Sequence, residues 1–402
     1  MIKIETIAAT KEINNMTAQQ LNDEQTLMSG KFAGTCYAKE GYATIRTQPE
    51  EKAMKRALGT AKNGHHSVFQ HGMINMEITC PKMIAMLLNS IGISNTSEKS
   101  ARYTTMHPET KEESRLYQKW HDIFVTEITN KYGERLKEKE IDKLAYENAR
   151  YMISVFCETT MVYSLPFRNI FYVMDFAKKM EAKLEHMEGG FNRRLCKEVS
   201  ALYEAMLGVV GKANFHDIKN DYFRFLPVQA TGECDKNAEY YGDVYTSVFY
   251  ASFAQVAQEQ RHRTTRVKIN FGGKDASEYG FFVPPILKGT GLEKEWLADM
   301  ELIKEVYPQG TLVEVTEQGL FEDFVVKCKE RMCGRAQLEI MLDTMHMIEK
   351  FEKNRQNLSK ANQKRLESIL EQDRPCARCG FDDFQCVEGC IWGKKEALTR
   401  LI

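Results

Sequence analysis

Four cysteines stand close together near the C-terminus of the chain. Cys376, Cys379, Cys386 and Cys390 fall within 15 residues, and two glycines among them permit tight turns. Four thiolates at this spacing can hold one tetrahedral ion, most simply zinc. An iron–sulfur cluster, a redox-active CxxC pair and four unliganded thiols are the alternatives. We favour the metal because the spacing is compact.

A second candidate is an acid, a hydroxyl and an arginine at alternate positions, namely Glu98, Ser100 and Arg102. In an extended segment, alternate side chains point the same way. Such a set suits a sugar-phosphate: the arginine neutralises charge, the serine contacts a phosphate oxygen and the glutamate binds a ribose hydroxyl. Taken alone, the motif is described more simply as a solvated loop or strand.

Further candidates carry arginine or histidine. Arg261-His262-Arg263 follows Gln258 and an apolar stretch, so it can bind anions or stack on a flat ring. The alternative is an ordinary helix end, where arginine and histidine are favoured by the helix dipole. Arg331 precedes Ala336-Gln337-Leu338-Glu339-Ile340, which alone indicates an amphipathic helix. His71, next to a strand, is more often a hydrogen-bonded core residue than a catalyst.

Composition bounds the classes of function. The chain has 402 residues, enough for two domains with their own cores, and 55 basic residues nearly cancel 56 acidic ones. A balanced charge gives no general attraction to nucleic acid or to a membrane. The first residues lack a signal-peptide pattern, and no apolar run approaches the ~20 residues of a membrane helix. The chain has eleven cysteines, most of them scattered, which fits a reducing compartment. We expect a cytoplasmic protein that binds neither nucleic acid nor membranes.

Periodicity and turn signals predict both helices and strands, hence an α+β fold. Residues 1–30 show no clear period and are expected to form an arm. The predicted helices lie at 50–66, 82–88, 192–210, 293–306, 320–351 and 354–371, with a longer helical region over 113–186 that breaks near Pro166. The predicted strands lie at 73–78 and 267–271.

Taken in order, these motifs resemble those of the flavin-dependent thymidylate synthases. The first half matches that family's Ser-x-Arg-Tyr motif and its Glu-x-x-Arg helix through Glu98, Ser100, Arg102, Tyr103, Glu147 and Arg150. It lacks the family's Arg-His-Arg, where it reads Ser90-Ile91-Gly92, and it lacks the arginine of the last helix, where 176–180 carries none.

The second half is the complement. It matches the family at Gln258, at Arg261-His262-Arg263, at Arg331 and in the segment 336–340. It lacks the Ser-x-Arg, where Phe271-Gly272-Gly273 stands, and it has no equivalent of the histidine at 71. In that family the nucleotide lies between two subunits, each of which gives one of these sets. The resemblance therefore implies two repeats folded as an internal pseudo-dimer with one complete site.

The implied architecture is α+β: two repeats with long helices and small antiparallel sheets, followed by a four-cysteine knuckle. The predicted boundaries are an N-terminal arm at 1–30, a first repeat at 31–212, a second repeat at 213–350 and a C-terminal helix with the cysteine tail at 351–402. The family is usually tetrameric, so two copies of this chain are expected to form a homodimer that is a pseudo-tetramer.

The resemblance also implies roles. The substrate is a pyrimidine deoxynucleotide monophosphate, most simply dUMP; methylenetetrahydrofolate gives the carbon, and FAD reduced by NADPH gives the hydride. The implied substrate-binding residues are Glu98, Ser100, Arg102, Arg150, Gln258, Arg261 and Arg331. Arg331, Ser100 and Arg150 are the implied catalytic set, in which Arg331 polarises a ring carbonyl and Ser100 binds without acting as a nucleophile. The implied flavin-binding residues are His71, Glu98, Arg168, Arg261, His262 and Arg263.

Three positions depart from the family. Tyr172 and Pro166 replace residues that help to hold the flavin, and Gln70 replaces a glutamate. Two alternatives therefore stay open: a related flavoenzyme that modifies another pyrimidine nucleotide, and a catalytically silent nucleotide-binding or scaffold protein.

Overall fold

The fold is α+β, built from long helices and small antiparallel sheets. The computed structural model describes residues 16–35, 38, 42–63, 66–91, 94–99, 106–212, 244–262, 264–270, 276–384, 386 and 390–402. Within these ranges, none of the helices is both long and apolar enough to span a membrane.

The helices of the first half are α1 (Ala18–Gly34), α2 (Tyr42–Arg46), α3 (Glu50–Lys62), α4 (Lys82–Ser90), α5 (Lys111–Tyr132), α6 (Glu138–Ala149), α7 (Phe167–Leu184) and α8 (Gly190–Val210). Those that follow are α9 (Phe253–Glu259), α10 (Leu292–Leu302), α11 (Phe321–Arg331), α12 (Leu338–Lys353), α13 (Lys360–Glu367) and α14 (Gly393–Glu396). The strands are β1 (Met73–Pro81), β2 (Asn95–Glu98), β3 (Glu158–Pro166), β4 (Val244–Ser252), β5 (Arg266–Asn270), β6 (Leu312–Leu320), β7 (Leu370–Glu371) and β8 (Arg374–Pro375).

The N-terminal segment is more ordered than its sequence predicts. Instead of an arm, residues 18–34 form α1, which begins at a capping box between Thr17 and Gln20. The helix shows no apolar period because it packs through small residues. At Gly30 the backbone approaches α3 so closely that an added Cβ would lie 2.0 Å from the carbonyl oxygen of Ala53.

Two three-stranded antiparallel sheets form the centre of the molecule, with strand orders β1-β3-β2 and β4-β6-β5. The central strand β3 lies in the region that the sequence predicts as helical, so that prediction is wrong there. Its residues alternate in burial, with Met161, Tyr163 and Leu165 facing the core. The strand predictions at 73–78 and 267–271 are confirmed as β1 and β5, apart from residue 271, which lies outside the described residues.

The two sheets share one register. Met73 pairs with Pro166 at the start of the first sheet, and Val244 pairs with Leu320 at the start of the second. The short strands follow the same rule, since Asn95 pairs with Ser164 and Arg266 pairs with Gln318. One constant shift in residue number relates β1 and β2 to β4 and β5, and another relates β3 to β6.

The segments before β3 and β6 join the sheets through matching backbone hydrogen bonds. The amide of Val155 donates to the carbonyl of Tyr307 over 2.7 Å, and the amide of Gln309 donates to the carbonyl of Ile153 over 2.7 Å. These two bonds exchange places under the shift that relates β3 to β6. Ser154 and Pro308 form a bridge between them. The junction therefore has local two-fold symmetry.

Three apolar clusters surround this centre. The first joins the β1-β3-β2 sheet to α4, α7 and α8, and it includes Phe253 from the start of α9 and Val313 from the second sheet. The second packs α5 and α6 against α10 and the last residues of the chain, including Trp392 and Ile402. The third joins α11, α12 and α13 to Cys376 of the tail.

Candidate functional site

The last residue of β2, Glu98, is a buried carboxylate with four partners. Its side chain is 1% exposed and accepts hydrogen bonds from Lys82 Nζ, from Asn89 Nδ2 over 3.4 Å and from Thr159 Oγ1 over 3.4 Å. Arg261 Nη2, from the second sheet's side, donates over 3.1 Å. Burial acts to raise the pKa of Glu98, but Lys82 and then Arg261 hold it below its usual value. Glu98 is thus an ionised anchor for Arg261.

Lys82 was not singled out from the sequence. It is the first residue of α4, directly after Pro81, and it is buried with the apolar residues that follow it. A buried ammonium group is costly unless it is paired. The signal that could have identified it is a single lysine at the head of the apolar run 83–88, because such a lysine requires a carboxylate partner.

Arg331, the last residue of α11, is oriented by His262. Arg331 Nε donates to His262 Nε2 over 2.5 Å, and Arg331 Nη2 lies 3.5 Å from the carbonyl oxygen of Gln258. Burial, followed by the charges of Arg331 and Lys327, lowers the pKa of His262 to about 3. The imidazole is therefore neutral, and the direction of the hydrogen bond assigns its proton to Nδ1.

A buried charge network lies beneath His262. Lys327 Nζ contacts Glu259 and is 2.8 Å from Glu317 Oε2, while Tyr245 donates to Glu317 over 2.6 Å. All four side chains are buried. Although burial opposes both charges, the pairing raises the pKa of Lys327 and lowers that of Glu317 to about 2. The network ties α9 to α11, the helices that present His262 and Arg331.

A chain of hydrogen bonds runs from Gln258 into the first half. Gln258 Nε2 donates to Gln337 Oε1 over 2.5 Å, and Gln337 Nε2 donates to the hydroxyl of Tyr151 over 2.7 Å. That hydroxyl donates in turn to Glu339 Oε2 over 3.0 Å. The sequence motif at 336–340 contains this glutamine and glutamate, but only the fold shows that they reach Tyr151, the neighbour of Arg150.

Arg150 is the most unusual arginine of the site. It begins a short 3-10 turn and is 4% exposed, and its Nε and Nη2 atoms have no hydrogen-bond partner among the described residues. Buried donors are nearly always paired in native proteins. Arg168, at the start of α7, repeats the feature: within the described part of the chain its buried Nε has no hydrogen-bond partner, and its guanidinium lies 4.8 Å from the ring of Tyr172. Both arginines therefore have buried donors that the described residues do not pair.

The remaining predicted residues are Ser100, Arg102, Arg263 and His71. Ser100, Arg102 and Arg263 lie outside the described residues. His71 is exposed at the start of β1, and its ring packs at 5.1 Å on the ring of Phe32. Among the described residues, neither His71 nor Arg168 forms a hydrogen bond or ion pair with Glu98 or His262.

A cavity of about 370 Å³ lies beside Arg331. Its polar lining comes from the C-terminal tail and from the loop after α11, and consists of Glu330, Arg331, Cys333, Arg335, Arg378, Cys379, Cys386 and Cys390. Three of the four cysteines predicted to bind metal therefore line one space.

The fourth predicted metal ligand, Cys376, does not line this cavity. It is buried in the third apolar cluster, where burial raises its pKa to about 11. As the described residues are placed, no group of three or more histidine, cysteine, aspartate or glutamate side chains could hold a metal ion. The zinc site stays a prediction.

Comparison with known proteins gives one family. Residues 18–204 match the family model described as thymidylate synthase complementing protein. The curated proteins contain no match to the chain.

Proposed function

We propose, from the match of residues 18–204 to the family model of the thymidylate synthase complementing protein, that the chain is a flavin-dependent enzyme of nucleotide biosynthesis. It would methylate a pyrimidine deoxynucleotide monophosphate, most simply dUMP. The site would lie between the two sheets and would occur once in each chain. The carbon would come from methylenetetrahydrofolate and the reducing equivalents from NADPH.

The observation that carries this proposal is the contact between Glu98 and Arg261, because each half gives one of the partners. The shared register allows the reverse contact to be examined. Under the constant shift, Arg261 corresponds to Ser90 and Glu98 corresponds to Ile269. The second half therefore has an apolar residue in place of the acid, and the first half has a serine in place of the arginine. This supports one complete site and one lost site in an internal pseudo-dimer.

The last arginine follows the same rule. Arg331, at the end of α11, corresponds to Ala177 in α7 under the shift that relates β6 to β3. Arg150 corresponds to Lys304, which is paired with Glu301 at the surface. Glu98, Arg261, Arg331 and Arg150 thus each have a counterpart with a different side chain.

The proposed roles follow from the contacts. Arg331, oriented by the neutral acceptor on His262, would donate to a ring carbonyl and stabilise negative charge that develops there. Arg261, anchored by Glu98 but 38% exposed, is placed to bind a phosphate or sugar oxygen. The buried donors of Arg150 would complete the same site. Ser100 and Arg102 stay predicted phosphate ligands.

FAD is the proposed cofactor, and the residues present fit it in part. The Nε of Arg168, which has no hydrogen-bond partner among the described residues, suits an acceptor atom of the cofactor. His71, which is exposed, lies just before the start of β1 in the same half. When bound, the reduced flavin would supply the hydride. The residues of the chain would hold the nucleotide and the flavin against each other and exclude water.

The test is a flavin and nucleotide assay on the purified chain. We expect flavin absorbance, and oxidation of the reduced flavin that depends on dUMP and methylenetetrahydrofolate. Arg331→Gln should abolish measurable dUMP binding. Glu322→Gln, at the exposed first turn of the same helix α11, is the matched control and should bind dUMP as the wild type does.

Each outcome separates the alternatives. A colourless protein that binds dUMP would support the catalytically silent nucleotide-binding protein. A flavin-loaded protein whose oxidation responds to another pyrimidine nucleotide would support the related flavoenzyme. Unchanged dUMP affinity in Arg331→Gln would refute the composite site.

A further inference from the structure

The C-terminal tail is fixed across the loop that follows Arg331. The amide of Arg378 donates to the carbonyl of Met332 over 2.5 Å, and Arg400 Nη2 donates to the carbonyl of Ala336 over 2.7 Å. Trp392 covers Gly334 so closely that an added Cβ there would lie 2.7 Å from the Trp392 ring. The tail is therefore packed and hydrogen-bonded against the loop that follows α11.

Arg378 is the arginine of the tail that lines the cavity beside Arg331. Its guanidinium lies 4.1 Å from the ring of Phe384, which fixes its position by a cation–π contact. Its Nε is buried and has no hydrogen-bond partner among the described residues. Buried donors are nearly always paired, so this N–H suits an acceptor that comes from outside the chain.

Three arginines, Arg331, Arg335 and Arg378, line the cavity beside Arg331. Among the described residues of the lining, the acidic one is Glu330. The cavity volume of about 370 Å³ lies in the range of small-molecule sites. Planar guanidinium groups bind phosphate and carboxylate groups through paired hydrogen bonds.

We propose that the tail completes the active site as an anion subsite, in which Arg378 binds a phosphate or carboxylate group of a substrate. The inference rests on the proposed function, because it places this subsite next to the arginine that contacts the pyrimidine. Two sources offer the required group: the phosphate of the nucleotide and the glutamyl carboxylates of the folate.

The test compares Arg378→Gln with Arg374→Gln. Arg374 lies on the same tail, is exposed in β8 and does not line the cavity, so it is the matched control. Titrations use dUMP, deoxyuridine and methylenetetrahydrofolate, with thermal melting to confirm folding. Losing a hydrogen bond to a charged group is expected to weaken binding of the anionic ligand about tenfold. Arg378→Lys, which keeps the charge, should recover part of the affinity.

A loss with dUMP but not with deoxyuridine identifies the phosphate, and a loss with methylenetetrahydrofolate alone identifies the carboxylates. Equal affinities of Arg378→Gln and wild type for all three ligands overturn the proposal. An equal loss for dUMP and deoxyuridine, with folate binding unchanged, also overturns it.

If the wild type binds none of the three ligands, the proposed function fails while the subsite can still be tested with pyrophosphate. Weaker pyrophosphate binding by Arg378→Gln than by Arg374→Gln supports the subsite, and no difference between them overturns it.

Discussion

Lys82 and Glu98 form a buried ion pair whose disruption tests the site directly. Their side chains are 8% and 1% exposed. Removing one partner of a buried pair leaves an uncompensated charge, which costs about 3–5 kcal/mol. In Lys82→Met the carboxylate of Glu98 keeps Arg261 as a partner at 3.1 Å. We therefore expect the lower end of that range, a loss of about 3 kcal/mol in the free energy of unfolding at pH 7.

The loss should depend on pH with a known sign. Lys82 and Arg261 hold the pKa of Glu98 below its ordinary value of 4.5, so the ionised carboxylate contributes stability above that pH, and this contribution is lost as pH falls through the folded-state pKa. Without Lys82 the pKa of Glu98 rises. The difference between the variant and the wild type should therefore be largest at pH 7 and should shrink toward pH 4.5, as Glu98 in the variant takes up a proton.

The second half of the chain suggests a second substitution that should restore stability to Lys82→Met. At the positions of Lys82 and Glu98 it has Phe253 and Ile269, so an apolar pair is compatible with this architecture. The double variant Lys82→Met with Glu98→Leu should be more stable than the single variant by at least ~1 kcal/mol, because no charge is left buried. It should nevertheless bind nucleotide more weakly, since Arg261 has lost its anchor.

Urea denaturation at pH 7 and pH 5 measures these differences. Lys178→Met, which breaks an exposed pair with Glu181, is the control and should change stability by less than about 0.5 kcal/mol. The reasoning is refuted if Lys82→Met lies within about 1 kcal/mol of wild type at pH 7, or if the double variant is less stable than the single variant.

Three further predictions concern the arginines and the tail. Arg150→Met should leave the melting temperature of the ligand-free protein equal or higher, and it should weaken dUMP binding at least ~10-fold. The counterpart variant Lys304→Met should change neither quantity. A lower melting temperature of Arg150→Met with intact dUMP binding would contradict this prediction. His262→Leu should weaken dUMP binding about tenfold, and His262→Gln should weaken it less. Because the pKa of His262 is lowered in the folded state, the free energy of unfolding should fall by up to ~1.4 kcal/mol per pH unit as the pH drops below 6.5. Denaturation curves of His262→Leu should lack this pH dependence. Elemental analysis should find about one zinc per chain, lost in Cys379→Ser but kept in Cys196→Ser, and a zinc-free wild type would refute the knuckle.

The sequence predicts some elements of this fold and misses others. β1 and β5 are short alternating patterns between turn signals, and they are predicted correctly. β3 has its own alternation, but it lies between α6 and α7, whose longer helical patterns dominate the region. The helix α1 escapes prediction for the opposite reason, because contact through Gly30 requires no apolar period.

Contacts across the fold could not be predicted at all. Glu98 was identified as a candidate ligand for ribose or flavin, yet its oxygens are occupied by Lys82, Asn89, Thr159 and Arg261. These partners come from α4, β3 and the end of α9, and only the pairing of β2 with β3 brings them together. His262 is likewise a positioning residue, which follows from its bond to Arg331 and from no property of the Arg-His-Arg motif itself.

The distribution of buried charge between the halves strengthens the case for a single site. A buried ion pair rarely improves stability over apolar residues of the same shape, so a fold has no structural need for one at a given position. The second half satisfies the position of Lys82 and Glu98 with Phe253 and Ile269, and its sheet has the same register. We therefore explain the charged pair in the first half by the hydrogen bond that Glu98 accepts from Arg261 of the second half. The absence of such a pair at the counterpart positions, which the structure describes in both halves, is what a lost second site predicts.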